Sequence, residues 1–400
     1  GNNSLGRVQT PVLAVISRRY RERENHISSD SWPIYISLQK DGILFKMRRT
    51  QDIPDKKSAT MFFQDCKLAR QAQITGIRHS IKEILPPDLL DLTQLQKEAN
   101  IRYGFTASEV YDIAQSLYEK KLISYPRTSS RYLTEDVFDS LSPIMARLLS
   151  WELFPAAKGT GGIDISNLSR HVISAEKANV HHAIIITGIR PGNLSEKEMQ
   201  VYRLVAGRML ETFMAPCRIE TTNVEAVCAA QHFKAEQTRI IEAGWHDVFM
   251  RYDMIPTSGY SVKELPEVEK GDTLNVCGCN MVHKKQLPVN PFTDAELVEY
   301  MEQNGLGTVS SRTNIIRTLV NRKYIRYSGK YIVPTPKGMF TYETIRGKKI
   351  ADTSLTADWE KQLTGLESGM ITGQDFLNRI RTLAKEMTDD IFNTYSQKEE

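Results

Sequence analysis

"DLTQLQKEANIRYGFTASEVYDIAQSLYEKKLISYPRTSSRYL", residues 91–133, decides how this chain is read. Its middle, "TASEVYDIAQSLYEKK", has the pattern of an amphipathic helix. Thr106 and Glu109 carry the spacing of a capping box. Val110, Ile113, Ala114, Leu117 and Tyr118 recur at helical intervals along one apolar stripe. Directly afterwards Tyr125, Pro126 and Arg127 follow one another. A phenol ionises at about pH 10, so it is a poor nucleophile unless a nearby cation stabilises the phenolate and the charge of a phosphoryl transition state. Pro126 fixes its own φ and favours extended backbone at Tyr125. In an extended segment Tyr125 and Arg127 lie on one side, where a single phosphate meets both. The spacing leaves a second reading open, a helix-terminating turn whose tyrosine packs on the core.

Two further stretches carry chemistry. In "VHHAIIITG", residues 180–188, neighbours along a strand face opposite ways, so only one of His181 and His182 faces a given site. No cysteine or aspartate nearby completes a zinc set, which leaves a phosphate-facing or a surface histidine. In "GLGTVSSRTNIIRTLVNRKYI", residues 305–325, Gly305 and Gly307 allow close backbone approach. Thr308, Ser310 and Ser311 put hydroxyls at a helix N-terminus, an arrangement that suits a phosphate and equally suits ordinary capping. Arg312, Arg317, Arg322 and Lys323 add charge. The preceding "PFTDAELVEYMEQNG" has its own capping-box pair, Thr293 and Glu296, and ends at Gly305. With "RYSGKYIVPTPKG" behind, the order is helix, turn, helix and two-stranded wing, a winged-helix pattern.

The rest of the chain frames these segments. Its 400 residues, 40% of them hydrophobic, suffice for two to four domains. The formal net charge is only +4, which does not by itself mark a nucleic-acid binder. No apolar run approaches the roughly 18 residues of a membrane span, and no secretory signal is visible. The five cysteines (Cys66, Cys217, Cys228, Cys277 and Cys279) include no C-x-x-C pair, so reduced thiols in the cytoplasm are expected. Strand spacing puts Cys277 and Cys279 on one face. "TPVLAVISRRYRER" reads as a helix with Val12, Val15 and Ile16 inward. "WPIYISLQKDGILFKMRRT" reads as a hairpin turning at Asp41-Gly42, and residues 218 to about 285 return to strand alternation. A β-domain interrupted by a helical insertion is therefore expected. The opening "GNNSLGRVQTP" has no initiating methionine, so a processed or longer polypeptide is expected.

In this order the segments resemble the type IA DNA topoisomerases, most closely the bacterial topoisomerase III group. The resemblance rests on "GRVQTP" (6–11), the stretch 91–133, "HHAIIITG" (181–188), "GLGTVSSRTNIIRTLVNRKYI" (305–325) and "SLTADWEKQL" (354–363). It implies a multidomain α+β fold, the toroidal core of that family. Its divisions would be 1–26 for the first part of a helical DNA-binding domain and 27–85 for a β-rich arch. A helical gate with the active-site tyrosine would span 86–212, the arch would return over 213–287, and the DNA-binding domain would occupy 288–400. By the same resemblance Tyr125 attacks a single-stranded DNA phosphate, giving a 5′-phosphotyrosine and a free 3′-hydroxyl without ATP. Arg127 and His181 act on the scissile phosphate. Arg7, Gln9, Thr128, Arg131, His182, Thr308, Ser310, Arg312 and Lys323 contact DNA.

The resemblance also implies a monomer acting at the bacterial nucleoid, and a Toprim domain of the same full-length protein. That domain would bring the Mg²⁺ site, with no metal held by this chain, and the chain alone is expected to be inactive without it. Val309 stands where the family pattern has proline after Thr308, and three further positions depart from it, with Ser129, Val180 and Ile186 where it has aspartate, aspartate and proline. They support an alternative, a non-catalytic single-stranded DNA-binding protein with a drifted topoisomerase fold.

Overall fold

The structure, a computed structural model, describes residues 5–151, 153–154, 163–178, 181–250, 255, 258–367 and 369–396. Val180 lies outside them.

Period-two alternation builds the first unit. Ile34, Ile36 and Leu38 point inward from Ile34–Lys40, and their neighbours Met47 and Phe45 point inward from Ile43–Arg49 across the register Ile36↔Met47 and Leu38↔Phe45. Asp41 (φ 51°) and Gly42 (φ 80°) are both left-handed, as a type I′ hairpin turn requires. These strands join Gln231–Glu242, Cys217–Cys228, Gln71–Ile84 and Thr273–Met281 in a closed barrel of antiparallel strands. Ile74, Val224, Ala226, Phe233 and Ala235 complete its core. Cys277 and Cys279 do not share a face as the strand spacing predicts. Ser37 pairs Gly278 while Leu38 pairs Val276, so Cys277 is the extra residue of a bulge and is exposed, while Cys279 packs on the core.

The pairing of Gln71–Ile84 with Cys217–Cys228 runs on to Ile84↔Cys217. Everything between those two residues is thus an insertion hung from one antiparallel strand pair. Its helices Leu92–Tyr103, Ala107–Glu119 and Glu196–Phe213 share a core with Leu89, Leu90, Ile123, Ile184 and Ile186. The Thr106/Glu109 capping box forms. The apolar stripe is narrower than its spacing predicts. Val110, Ala114 and Leu117 are buried, whereas Tyr118 is 39% exposed and faces away.

A third core unites the two ends of the chain. Val12, Leu13, Val15 and Ile16 of Gln9–Glu24 pack with Leu297, Met301, Ile316 and Leu319 of the helices Asp294–Gln303 and Val309–Asn321. The wing strands Ile325–Ser328 and Tyr331–Pro334 close over it, turning at Gly329. Gly305 (φ 63°) ends the first of these helices in a Schellman motif, its N–H on Glu302 O and that of Leu306 on Met301 O. The accessible surface is 21534 Å², against roughly 16,000 Å² for a compact chain of this mass, so the chain is spread over separate cores.

Candidate active site

The Ala107–Glu119 helix ends in a second Schellman motif. Lys121 N–H bonds Tyr118 O at 2.8 Å and Leu122 N–H bonds Leu117 O at 3.0 Å, with Lys121 at φ 59°. A lysine there costs roughly 1 kcal/mol, and it turns the chain back so that Leu122–Tyr125 runs beside Ala183–Thr187. Ile123 bridges Ile186, Ser124 N–H donates to Ile185 O (2.8 Å), and Ile185 N–H donates to Ser124 Oγ (3.0 Å). Thr128 Oγ1 then donates to His181 O at 2.9 Å. Two motifs more than fifty residues apart are thereby stitched edge to edge.

The half-buried Tyr125 ring lies between two aromatic neighbours. The His181 ring centre is 4.4 Å away at 42°, and the Tyr118 ring meets it edge-on at 5.4 Å and 80°. Arg127 turns toward the helix, where Nη2 donates to Gln115 Oε1 at 3.2 Å and its guanidinium carbon sits 5.0 Å from the Tyr111 ring centre. Its Nε is buried with no hydrogen-bond partner. His182 turns elsewhere, with Nδ1 2.7 Å from Ala183 O, so one histidine of the pair faces the tyrosine. The structure thus brings Tyr125, Thr128 and His181 together, with Arg127 turned from them toward Gln115 and Tyr111. It adds Tyr111, Gln115 and Tyr118, whose spacing of four and three was a second helical stripe in the sequence.

The other candidates lie in the terminal core and along its seam with the insertion. Gln9 Oε1 accepts from Arg322 (2.9 Å), Arg7 stands 5.6 Å from the Trp359 ring centre, and Lys323 is exposed at φ 59°. Thr308 and Ser311 form a capping box, with Ser310 Oγ 3.2 Å from Thr308 Oγ1, so these hydroxyls cap their own helix. Arg312 is only 8% exposed and points inward, donating to Glu302 Oε1 (3.1 Å), Thr93 Oγ1 (3.1 Å) and Gly307 O (3.2 Å). Arg131 donates to Asp91 Oδ2 at 2.7 Å and reaches Glu302 at 3.9 Å.

That seam is mostly polar, although Ala107 of the insertion is buried in the terminal core and Val309 of the terminal unit packs on the core of the insertion. Lys97 pairs Glu299 at 2.6 Å, Gln96 Nε2 donates to Thr313 Oγ1 at 2.9 Å, and Arg317 pairs Asp112 at 2.8 Å. Asp294 Oδ1 accepts from Ala107 N–H (3.2 Å) and from Tyr327 Oη–H (3.0 Å). Burial pushes the Asp294 carboxyl up to about 6. Among the described residues no group of three or more His, Cys, Asp or Glu side chains is placed to hold a metal ion. Among them, too, no helix is long and apolar enough to cross a membrane.

The comparisons bear on the fold that holds Tyr125, His181 and Arg127. Over 413 residues the chain is 30% identical to a DNA topoisomerase 3 of Bacillus licheniformis, covering 97% of this chain and 56% of that protein. It is 31% identical over 401 residues to a DNA topoisomerase 1 of Methanocaldococcus jannaschii, covering 99% and 50% respectively. The chain therefore spans about half the length of these curated relatives. The structure of full-length topoisomerase I from Thermotoga maritima superposes with a TM-score of 0.74 at 23% identity, over 97% of this chain and 63% of that one, which establishes the shared fold. The DNA topoisomerase family model matches residues 1–378, from the first helix through the tyrosine segment and beyond the wing, so the chain belongs to the type IA DNA topoisomerase family.

Proposed function

We propose that this chain is the cleavage-and-passage core of a type IA topoisomerase acting on single-stranded DNA at the nucleoid. Tyr125 Oη attacks a backbone phosphorus, the bond to the 3′-oxygen breaks, and the chain is joined to the 5′ side as a phosphotyrosine. The phenol proton is lost, and a proton is supplied to the leaving 3′-oxygen. Religation is the reverse, so the phosphodiester energy is conserved and no ATP is needed. Arg127 neutralises the phosphate, and His181 orients it and the Tyr125 ring. Arg7, Gln9 and Lys323 line the incoming strand with Thr128, His182, Thr308 and Ser310, while Arg131 and Arg312 hold the walls of the path through Asp91, Thr93 and Glu302. We divide the chain into a gate, residues 86–212, an arch, 27–85 with 213–287, and a DNA-binding unit, 1–26 with 288–400.

The observation that carries the reading is Tyr125 itself, half-buried against His181 at 4.4 Å with Arg127 held in the same segment. The described residues offer no cluster that fits Mg²⁺, so no step here runs through the ion. Its place in the reading is a Toprim domain of the full-length protein, without which this chain is expected to be inactive. The test is covalent trapping of a labelled single-stranded oligonucleotide with Mg²⁺, with and without that domain, on denaturing gels. An adduct that needs both the domain and Tyr125, and vanishes in Tyr125→Phe, is the expected result. No adduct from a reassociated, DNA-binding pair sinks the reading. It would favour the drifted, non-catalytic DNA-binding alternative, for which the exposed Ser129 beside the site already speaks.

A further inference from the structure

We infer that Gln115 is a positioning residue that parks Arg127 away from the nucleophile until a phosphate displaces it. The inference rests on the proposed reading of Tyr125 and Arg127. Gln115 Nε2 donates to Glu119 Oε1 at 2.8 Å, and an ionised carboxylate only accepts, so the amide oxygen is the atom turned to Arg127. Arg127 Nη2 rests on that oxygen at 3.2 Å, and the Tyr111 face covers the guanidinium at 5.0 Å. This pose leaves Arg127 Nε buried and unpartnered, a cost that a phosphate oxygen reaching it would relieve. An amide oxygen is a neutral acceptor, and a phosphate oxygen is a charged one that binds a guanidinium about twice as strongly. Incoming DNA therefore wins the exchange, and Arg127 gains a partner for its fork. The same helix face carries Tyr118 against the Tyr125 ring, so the stripe of Tyr111, Gln115 and Tyr118 holds both the cation and the nucleophile.

The test makes the parking acceptor charged. Gln115→Glu keeps the length of the side chain and competes with phosphate for Arg127. In the full-length protein it should lower the Tyr125-linked adduct about tenfold. Gln115→Asp brings the same charge one methylene short of Arg127, and its loss should be about twofold. Equal losses in the two variants mean plain repulsion of DNA and overturn the inference, as does no loss in either. A wild-type protein that forms no Tyr125-dependent adduct overturns the proposed function instead. In that case ¹⁵N NMR of the Arg127 guanidinium in this chain still decides the parking. Slowed Nη rotation in Gln115→Glu alone, persisting when a thymidine oligonucleotide is added, supports it. Rotation unchanged from wild type overturns it.

Discussion

Asp294→Asn tests whether the polar seam is poised to open. Asp294 is 2% exposed, and burial holds its carboxyl at about 6. An unfolded aspartate ionises near 4, so the folded seam binds this proton more tightly across about pH 4 to 6. Stability from this group is therefore fully present below about pH 4 and is lost as pH rises through 6. Two pKa units correspond to about 3 kcal/mol that the ionised carboxylate withholds from the closed seam at pH 7.5. Asparagine keeps an oxygen for Ala107 N–H and Tyr327 Oη–H but carries no charge. Because Asp294 is also the first residue of the Asp294–Gln303 helix, losing its charge there gives back up to about 1 kcal/mol. A net gain of about 2 kcal/mol predicts roughly 30-fold slower exchange of the Ala107 amide at pH 7.5. The assay is hydrogen exchange read at Ala107 in both proteins from pH 5 to 8, with intrinsic rates divided out. The protection ratio should shrink as pH falls below 6. A ratio that is flat with pH, or a variant less protected than wild type, refutes the reasoning. On the proposed function the variant also passes strands more slowly while cleaving normally.

Three other outcomes are expected. Tyr118→Ala should slow adduct formation by two- to tenfold, the worth of about 0.5–1.5 kcal/mol for an aromatic pair, and Tyr118→Phe should restore it; unchanged rates in the alanine variant would show that the edge-on contact is idle. Gly307→Ala places a Cβ 2.9 Å from both Ile315 Cδ1 and Ser311 Oγ at φ 81°, so thermal unfolding of the terminal unit should show a loss of about 1–2 kcal/mol. Single-stranded DNA affinity should fall with salt, and Lys323→Ala should reduce the magnitude of the log–log slope by about 0.7, one phosphate's share; an unaltered slope removes Lys323 from the strand path.

Much of the fold was legible because its signals are local. The hairpin needed only alternation and an Asp-Gly turn, and the helix starts needed only Thr106/Glu109 and Thr293/Glu296. The tyrosine and its histidine were legible by resemblance, while the stitching between their segments belongs to tertiary structure. What stayed hidden depends on distant partners. Arg312 sits in a basic run that reads as surface, yet Thr93, 219 residues away, and Glu302 draw it inward. Tyr118 fits the apolar spacing of its helix, but the Tyr125 ring gives it a partner outside that stripe. Cys277 left its predicted face because one residue of bulge resets the period, and no pattern in Thr273–Met281 announces it.

The chemistry of the contacts also decides where such a molecule can part. Each of the three cores is apolar and would pay its full burial energy if split. The insertion cannot leave the barrel, because continuous strands join them as far as Ile84↔Cys217. Between the insertion and the terminal unit, by contrast, stand Lys97, Glu299, Gln96, Thr313, Arg317 and Asp112, groups that water can solvate again once they separate. Opening at this seam withdraws Ala107 from the terminal core and Val309 from that of the insertion, and leaves the rest of each core whole. Glu302 is where the seam meets the site, since Arg131 from the tyrosine segment and Arg312 from the terminal unit both converge on it. On the proposed function, then, the Arg131–Glu302 contact exists only while the seam is shut. A strand cleaved there is carried away on Tyr125 with the insertion, and it can be rejoined only after Arg131 has returned to Glu302, which keeps Arg312 throughout.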